Sequence, residues 1–219
     1  MKINEHEIRG VVFDLDGILV ETEHFQWRGW VEVLKPYGKS VSQEEYFKYA
    51  GKQGDIIEAE IFEDLNLSLE KGELLERKKE FVFQWIRTEQ IQLMPFAKEA
   101  VTYFFTKKLK LACASGSPGE EAILKLQKTG LFPFFQTIIS GSDVERGKPF
   151  PDTYLLAVNK IGLKPEQCLA FEDTQYGIAS AKAAGLVCYA IPNEFSREQD
   201  FSQADGVFNN FQEAISTFN

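Results

Sequence analysis

The sequence predicts an α/β fold: a doubly wound parallel-sheet, Rossmann-like core carrying an inserted all-helical cap domain. Three observations predict it. First, the apolar run Val11-Val12-Phe13, closed by Asp14-Leu15-Asp16-Gly17, reads as a strand buried on both faces of a parallel sheet. Second, from Pro95 onward short apolar runs alternate with helical patterns, as right-handed βαβ crossovers require. Third, residues 21 to 90 carry helical periodicity with no strand signal.

The elements follow in order. After Gly17, Trp27, Trp30, Val31 and Leu34 recur on one helix face until Pro36 and Gly38 stop it. Further helical patterns occupy 42–50, 55–65 and 69–90. An all-helical insert of this kind predicts a second domain, residues 20–91, set into a core of residues 1–19 and 92–219. The chain would cross between the two at 18–21 and 92–95, and two crossings make a hinge possible. The core then reads helix 96–107, strand 109–114, helix 118–128, strand 137–140 and helix 152–161. Strand 168–171, helix 176–184, strand 186–191 and a last strand at 206–208 complete it.

Composition narrows the function. A hydrophobic fraction of 44% with 26% charged residues is ordinary for a globular chain of 219 residues. A formal charge of -9 opposes nucleic acid and anionic membrane surfaces as partners, because both reward basic patches. It leaves room for a small anionic substrate, since one local cation can reverse the sign within a cleft. Residues 1–9 are polar and charged, without the apolar segment of a signal peptide, and no run reaches membrane-spanning length. The cysteines, Cys113, Cys168 and Cys188, are odd in number and lack CxxC spacing, so they read as buried free thiols in a reducing compartment. The expectation is a cytoplasmic monomer.

In open α/β sheets the ligand lies outside the carboxyl ends of the strands, where Asp14 and Asp16 emerge. Two acids leaving a core strand together repel and lose hydration unless a cation or a shared proton offsets this, so the pair asks for a metal. A second strand ends in Ser115-Gly116-Ser117-Pro118-Gly119-Glu120. Ser117 with Glu120 fits a capping box and Pro118 fits the first helical position. The free N–H groups of that helix start, with Gly116 and the Ser115 hydroxyl, suit an anion. Third comes Arg146-Gly147-Lys148-Pro149. It is not a phosphate-binding P-loop, because Gly141 to Gly147 encloses five residues rather than four and proline follows Lys148. The fourth strand end is Phe171-Glu172-Asp173, followed by Gly177. Two acidic ends, an anion nest and a lysine would thus share one edge of one sheet.

Together, Asp14-Leu15-Asp16-Gly17, Ser115, Gly147-Lys148-Pro149 and Glu172-Asp173 resemble the four ordered motifs of the haloacid dehalogenase superfamily. The resemblance spans nearly the whole chain, and the insert resembles that superfamily's small helical cap. Within it, Asp14 to Thr22 and Glu172 to Gly177 are most similar to the β-phosphoglucomutase-like phosphatases. The resemblance implies a Mg²⁺-dependent phosphatase that hydrolyses a small phosphorylated metabolite, sugar phosphate or phosphoglycolate-like, through an aspartyl-phosphate. Asp14 would be the nucleophile, and Asp16 the acid to the leaving oxygen and then the base for water. Ser115, the Gly116 N–H and Lys148 would bind the transferring phosphoryl group. Asp14, the Asp16 carbonyl and Asp173 would hold Mg²⁺, with Glu172 beside them.

The cap loop Gly51-Lys52-Gln53-Gly54 would meet the rest of the substrate, with Lys52 reaching an anionic or hydroxyl-rich group. Two departures from the mutases of this kind, Gln26 in place of their histidine and Gly54 in place of their arginine, point to hydrolysis. A β-phosphoglucomutase-type mutase, a phosphonate hydrolase and a non-catalytic binding module are the alternatives.

Overall fold

The structure is a computed structural model, and it describes residues 1–3 and 6–219. Two short antiparallel strands open the chain, β1 (Lys2–Ile3) and β2 (His6–Glu7). The central strand β3 (Gly10–Phe13) follows. A second short pair, β4 (Val20–Glu21) and β5 (Gln92–Leu93), is antiparallel with Val20 opposite Leu93. Between its two strands lies the helical cap: α1 (Glu23–Leu34), α2 (Gln43–Tyr46), α3 (Gly54–Asp64) and α4 (Glu73–Thr88). The chain therefore enters and leaves the cap side by side.

After the cap come α5 (Ala97–Thr106), β6 (Lys110–Ala114), α6 (Gly119–Lys128), β7 (Thr137–Ile139) and α7 (Asp152–Lys160). The chain ends with β8 (Cys168–Glu172), α8 (Gln175–Ala183), β9 (Val187–Ala190), β10 (Gly206–Val207) and α9 (Phe211–Phe218). Six strands form one parallel sheet in the order β10-β9-β8-β3-β6-β7.

The strands alternate with period two but are apolar on both faces, which is why they read as continuous apolar runs. Val11, Phe13, Leu111, Cys113, Leu169 and Phe171 face one core with α5, α6 and α9. Val12, Ala112, Ala114, Ala170 and Cys188 face the other with α7 and α8. Small side chains dominate the second face, so α7 and α8 can pack close to the sheet. The cap has its own core around Trp30, Leu34, Tyr46, Ile61 and Leu74.

The structure differs from the sequence reading in particular places. The pattern over 42–50 resolves into a four-residue helix followed by turns, and α4 starts only after Gly72, which holds a left-handed φ of 91°. Helix α9 has no counterpart in that reading. Its signal was present: Asn210 accepts from the Glu213 N–H at 3.1 Å, and Phe211, Ala214, Ile215 and Phe218 fall on one face. Phe211 then packs against Phe13 and Phe171 beneath the central strand. The three cysteines are free and buried, as expected. No described helix is long and apolar enough to cross a membrane.

Candidate active site

Register brings the polar strand ends together. Phe13 lies opposite Cys113 on one side and Phe171 on the other, so β3, β6 and β8 release Asp14, Ser115 and Glu172-Asp173 at nearly one level. The Asp14 N–H still donates to the Phe171 carbonyl at 3.0 Å, and the Ser115 N–H to that of Ile139 at 2.8 Å, so ladder bonds fix both backbones.

Asp14, Glu172 and Asp173 each place a carboxylate oxygen so that all three lie within 4.8 Å of one another. Lys148 reaches in from its loop, with Nζ at 2.6 Å from Asp14 Oδ1 and 2.5 Å from Glu172 Oε1. The Tyr154 hydroxyl of α7 donates to the same Glu172 oxygen at 2.6 Å. Asn193 Nδ2 donates to Asp173 Oδ2 at 2.7 Å and to the Gly17 carbonyl at 3.2 Å, tying that acid to the turn after β3. Two glycines allow this crowding. At Gly17, whose φ is 79°, a Cβ would stand 2.3 Å from Asp173 Oδ2. At Gly177, one would stand 2.0 Å from the Glu172 carboxyl carbon.

Three buried carboxylates against one ammonium leave an excess of negative charge. Burial pushes Asp14 up to about 7, with Glu172 adding to the rise and Lys148 opposing it. Asp173 is driven well above the usual carboxylate range by burial and then by Asp14 and Glu172. Lys148, despite burial, is held above its ordinary value by Asp14 and Glu172. An all-oxygen donor set with surplus negative charge fits a hard divalent cation such as Mg²⁺.

The Asp16 carboxylate is not part of this cluster. Lys125 Nζ sits 2.6 Å from Asp16 Oδ1, the Ser117 hydroxyl donates to Oδ2 at 2.8 Å, and the Thr22 hydroxyl donates to Oδ1. Although burial works the other way, Lys125 and these hydroxyls hold Asp16 below the ordinary carboxylate value. Here the structure corrects the capping expectation. Helix α6 begins at Gly119 after Pro118, no side chain caps it, and Ser117 is committed instead to Asp16 and to Lys125 at 2.8 Å. Ser115 is fully buried. Its Oγ accepts from the Ser117 N–H at 3.0 Å and donates to Asp16 Oδ2 at 3.5 Å, so it shapes the turn from behind.

A cavity of about 550 Å³ opens between sheet edge and cap, and Asp14, Asp16, Gly116, Lys148 and Asp173 line its floor. Lys52 lines its wall, but its Nζ is taken by Glu60 at 2.6 Å, so it is not the free cation the sequence suggested. Its neighbour Gln53 makes the link to the core, donating through Nε2 to the Lys148 carbonyl at 3.1 Å. Four residues of the site escaped the sequence reading: Lys125, Thr22, Asn193 and Tyr154. For Lys125 a signal existed, because it falls on the buried face of α6 with Ala122 and Leu126.

A doubly wound sheet with acids, a lysine and a cation-ready cluster at its carboxyl edge, roofed by a helical insert, defines a capped hydrolase. Residues 11–191 match the family model of the haloacid dehalogenase-like hydrolases, and the chain belongs to that family. It is 31% identical over 182 residues to a phosphorylated carbohydrates phosphatase of Thermotoga maritima, covering 82% of each chain. It is 29% identical over 177 residues to the fructose-1-phosphate phosphatase YqaB of Escherichia coli, covering 81% of this chain and 93% of that one. Among solved structures it is similar to a mutant of CbbY from Rhodobacter sphaeroides in complex with xylulose-(1,5)bisphosphate. That likeness has a TM-score of 0.81 at 25% identity over 94% of this chain and 96% of that one. The protein is a phosphoric monoester hydrolase of this family.

Proposed function

We propose that the protein hydrolyses a small sugar-phosphate or phosphoglycolate-like monoester, with Mg²⁺, through an aspartyl-phosphate on Asp14. The observation that carries this reading is one cavity floor bearing two differently held acids. Asp14 lies against Lys148 in the cation-ready cluster, while Asp16, two residues on, is held apart by Lys125.

The roles divide accordingly. A carboxylate oxygen of Asp14 attacks phosphorus as the ester P–O bond breaks, giving an acyl phosphate and splitting one hard displacement into two. Asp16, which must carry a proton in this first half against the pull of Lys125, gives it to the departing oxygen. In the second half Asp16 takes a proton from water, which attacks the same phosphorus, frees inorganic phosphate and restores Asp14. The ionised state in which Lys125 holds Asp16 suits that second half. Lys148 and the Gly116 N–H balance charge on the phosphoryl oxygens, and Ser115 positions the turn that presents them. Asp14, the Asp16 carbonyl and Asp173, with Glu172 beside them, would hold Mg²⁺, which would supply the positive charge that lets two anions meet.

Residues 20–91 act as the specificity domain, closing over the cleft and excluding water. Gly54 bears on the mutase alternative: it offers no side chain to a distal phosphate, and Leu75 Cδ1 lies 2.8 Å from where a Cβ would be, so a larger residue there would have to displace the Leu75 side chain. Without a clamp at that point a bisphosphate intermediate is poorly retained, which favours hydrolysis.

The test is phosphate release from a panel of small phosphomonoesters with and without Mg²⁺, comparing wild type with Asp14→Asn and Asp16→Ala. Turnover that needs the metal and both acids is expected. Full activity in either variant would overturn the mechanism.

A further inference from the structure

One loop that belongs to the α/β core by chain order is anchored in the cap. Phe195, from the loop after β9, is buried in the cap's apolar cluster with Trp30, Tyr46 and Tyr49. Its ring meets those of Tyr46 and Phe47 edge to face, with centroids 6.1 and 5.6 Å away. Two residues earlier in the same loop, Asn193 makes the bonds to Asp173 Oδ2 and to the Gly17 carbonyl. The turn between them is stiff. Asn193 Oδ1 accepts from the Phe195 N–H at 2.8 Å, and the Asn193 carbonyl accepts from the Ser196 and Arg197 N–H groups at 3.2 and 3.0 Å. The buried Ser196 hydroxyl accepts from the Asn193 N–H at 3.1 Å. Asn193 thus grips an acid of the cation-ready cluster with its side-chain nitrogen, and the backbone of the cap anchor with its side-chain oxygen.

Two further contacts bring the cap onto the same corner. Gln199 Nε2 donates to the Ala50 carbonyl at 3.1 Å, while its Oε1 accepts from the Gln175 N–H at the start of α8 at 2.9 Å. Gly51 lies so close to Thr174, the residue after Asp173, that a Cβ would stand 2.7 Å from Thr174 Cγ2. The chain crossings at β4 and β5 hold the cap covalently; this corner holds it by packing and hydrogen bonds, one residue or one bond from Asp173.

We infer that Asn193 and Phe195 are positioning residues that couple docking of the cap to Mg²⁺ binding at Asp173. This rests on the metal reading above and goes beyond it. With Phe195 seated in the cap, the turn is fixed and Asn193 orients the Asp173 carboxylate. With Phe195 withdrawn, the turn loses its anchor and Asp173 its orientation. A hydrogen-bond partner behind a ligating carboxylate sets metal affinity. Linkage makes the effect mutual: whatever seats the cap tightens Mg²⁺, and Mg²⁺ seats the cap by the same factor.

Two binding measurements test this without turnover. In the first, Mg²⁺ is titrated by calorimetry into wild type, Asn193→Ala, Phe195→Ala, Phe195→Leu and Ile61→Ala, the last opening a hole in the same cap cluster from α3. Asn193→Ala is expected to weaken Mg²⁺ by about 10- to 100-fold. Phe195→Ala is expected to weaken it by about fivefold or more, the lower end of ordinary coupling. Phe195→Leu, which keeps an apolar anchor, recovers most of that loss, and Ile61→Ala stays at the wild-type affinity. In the second, tryptophan emission reads the coupling in reverse, because Trp27, Trp30 and Trp85 all lie in the cap. Mg²⁺ should change the emission of wild type but not that of Asn193→Ala at saturating metal. That variant leaves the cap cluster whole, so its result decides the matter even where Phe195→Ala does not fold. Wild-type affinity in Phe195→Ala, an equal loss in Ile61→Ala, or a wild-type emission change in Asn193→Ala would overturn the coupling and leave the metal reading standing. A wild-type protein that binds no Mg²⁺ would overturn both.

Discussion

Lys125 Nζ lies 2.6 Å from Asp16 Oδ1, and the lysine is fully buried while the aspartate faces the cavity. A core helix thus sends a charge up from beneath the sheet edge to fix the acid two residues beyond Asp14. The carboxylate has no direct contact with the metal-ready cluster, so Lys125, Thr22 and Ser117 decide where it points. Lys125→Met removes the only cation against Asp16 among the described residues and leaves Glu121, 3.8 Å from the same ammonium, exposed to the same loss. Breaking a buried pair from one side costs about 3 kcal/mol, and a misplaced acid–base group costs about 10²-fold in rate. Urea unfolding and steady-state kinetics check both. KM should hardly change, because Lys125 does not line the cavity. An unchanged kcat would mean that the ion pair serves stability alone.

The acidic cluster makes a separate prediction. Asp173→Asn should raise the Mg²⁺ concentration needed for half-maximal activity by about 10- to 100-fold, the usual effect of disturbing a metal's ligand surroundings. Gly17→Ala should do the same from outside the cluster, since its Cβ would displace Asp173 Oδ2 and its φ of 79° disfavours any side chain. Mg²⁺ titrations of activity distinguish this from a general defect, because excess metal restores Asp173→Asn and leaves a misfolded protein inactive. An unchanged Mg²⁺ requirement in both variants would place the cation elsewhere.

What the sequence made legible was whatever depends on local pattern. The runs at Val11, Leu111 and Leu169 announced a parallel sheet because both faces are covered, and the acids ending them had to emerge at the carboxyl edge. Lys148 became interpretable only through its company, since Asp14 and Glu172 lie 134 and 24 residues away in the chain. Lys125 was not legible as part of the site. Its place beside Ala122 and Leu126 on the apolar face of α6 points to burial while its spacing from Glu121 equally fits a surface pair, and only the packing of α6 under Asp16 decides between them. Ser117 misled for a related reason: its spacing to Glu120 fits a cap, yet a charged partner in space outcompeted the local N–H. Asn193 belongs to a loop without periodicity, and its contact with Gly17 spans 176 residues.

Lys78 is held in the cap at a cost that pH reveals. Burial lowers its pKa to about 8 from the ordinary 10.5, with Glu23 and Glu121 opposing the shift. Below pH 8 both folded and unfolded chains carry the proton, and the cost of the buried charge is fully present. Between about 8 and 10.5 the folded protein sheds it first, so the unfolded state binds more protons and stability attributable to this group rises with pH. Wild type should therefore gain on Lys78→Met as pH climbs through that window, read from urea midpoints of the two proteins at each pH. A difference that stays flat, or moves the other way, would mean that Lys78 is not desolvated in solution.

Lys128 ties the cap's longest helix to the core. From the end of α6, its Nζ donates to the carbonyls of Ile86 at 2.7 Å, Arg87 at 3.1 Å and Glu89 at 2.5 Å, where α4 runs out of internal partners. Arg28 adds a bidentate pair to Glu89, both contacts at 3.0 Å. A cation at a helix carboxyl end is favoured by the dipole as well as by the bonds, and at an exposed position the combination is worth about 1 kcal/mol. Lys128→Met should lower stability by that amount. It should also loosen α4, which carries Lys78 into the cavity. The expected kinetic result is a several-fold rise in KM for a sugar phosphate, with kcat and p-nitrophenyl phosphate turnover unchanged, because the floor at Asp14 and Asp16 is untouched. A fall in kcat for both substrates would instead show that α6 transmits the loss to Lys125 and Asp16, three residues up the same helix and one ion pair away.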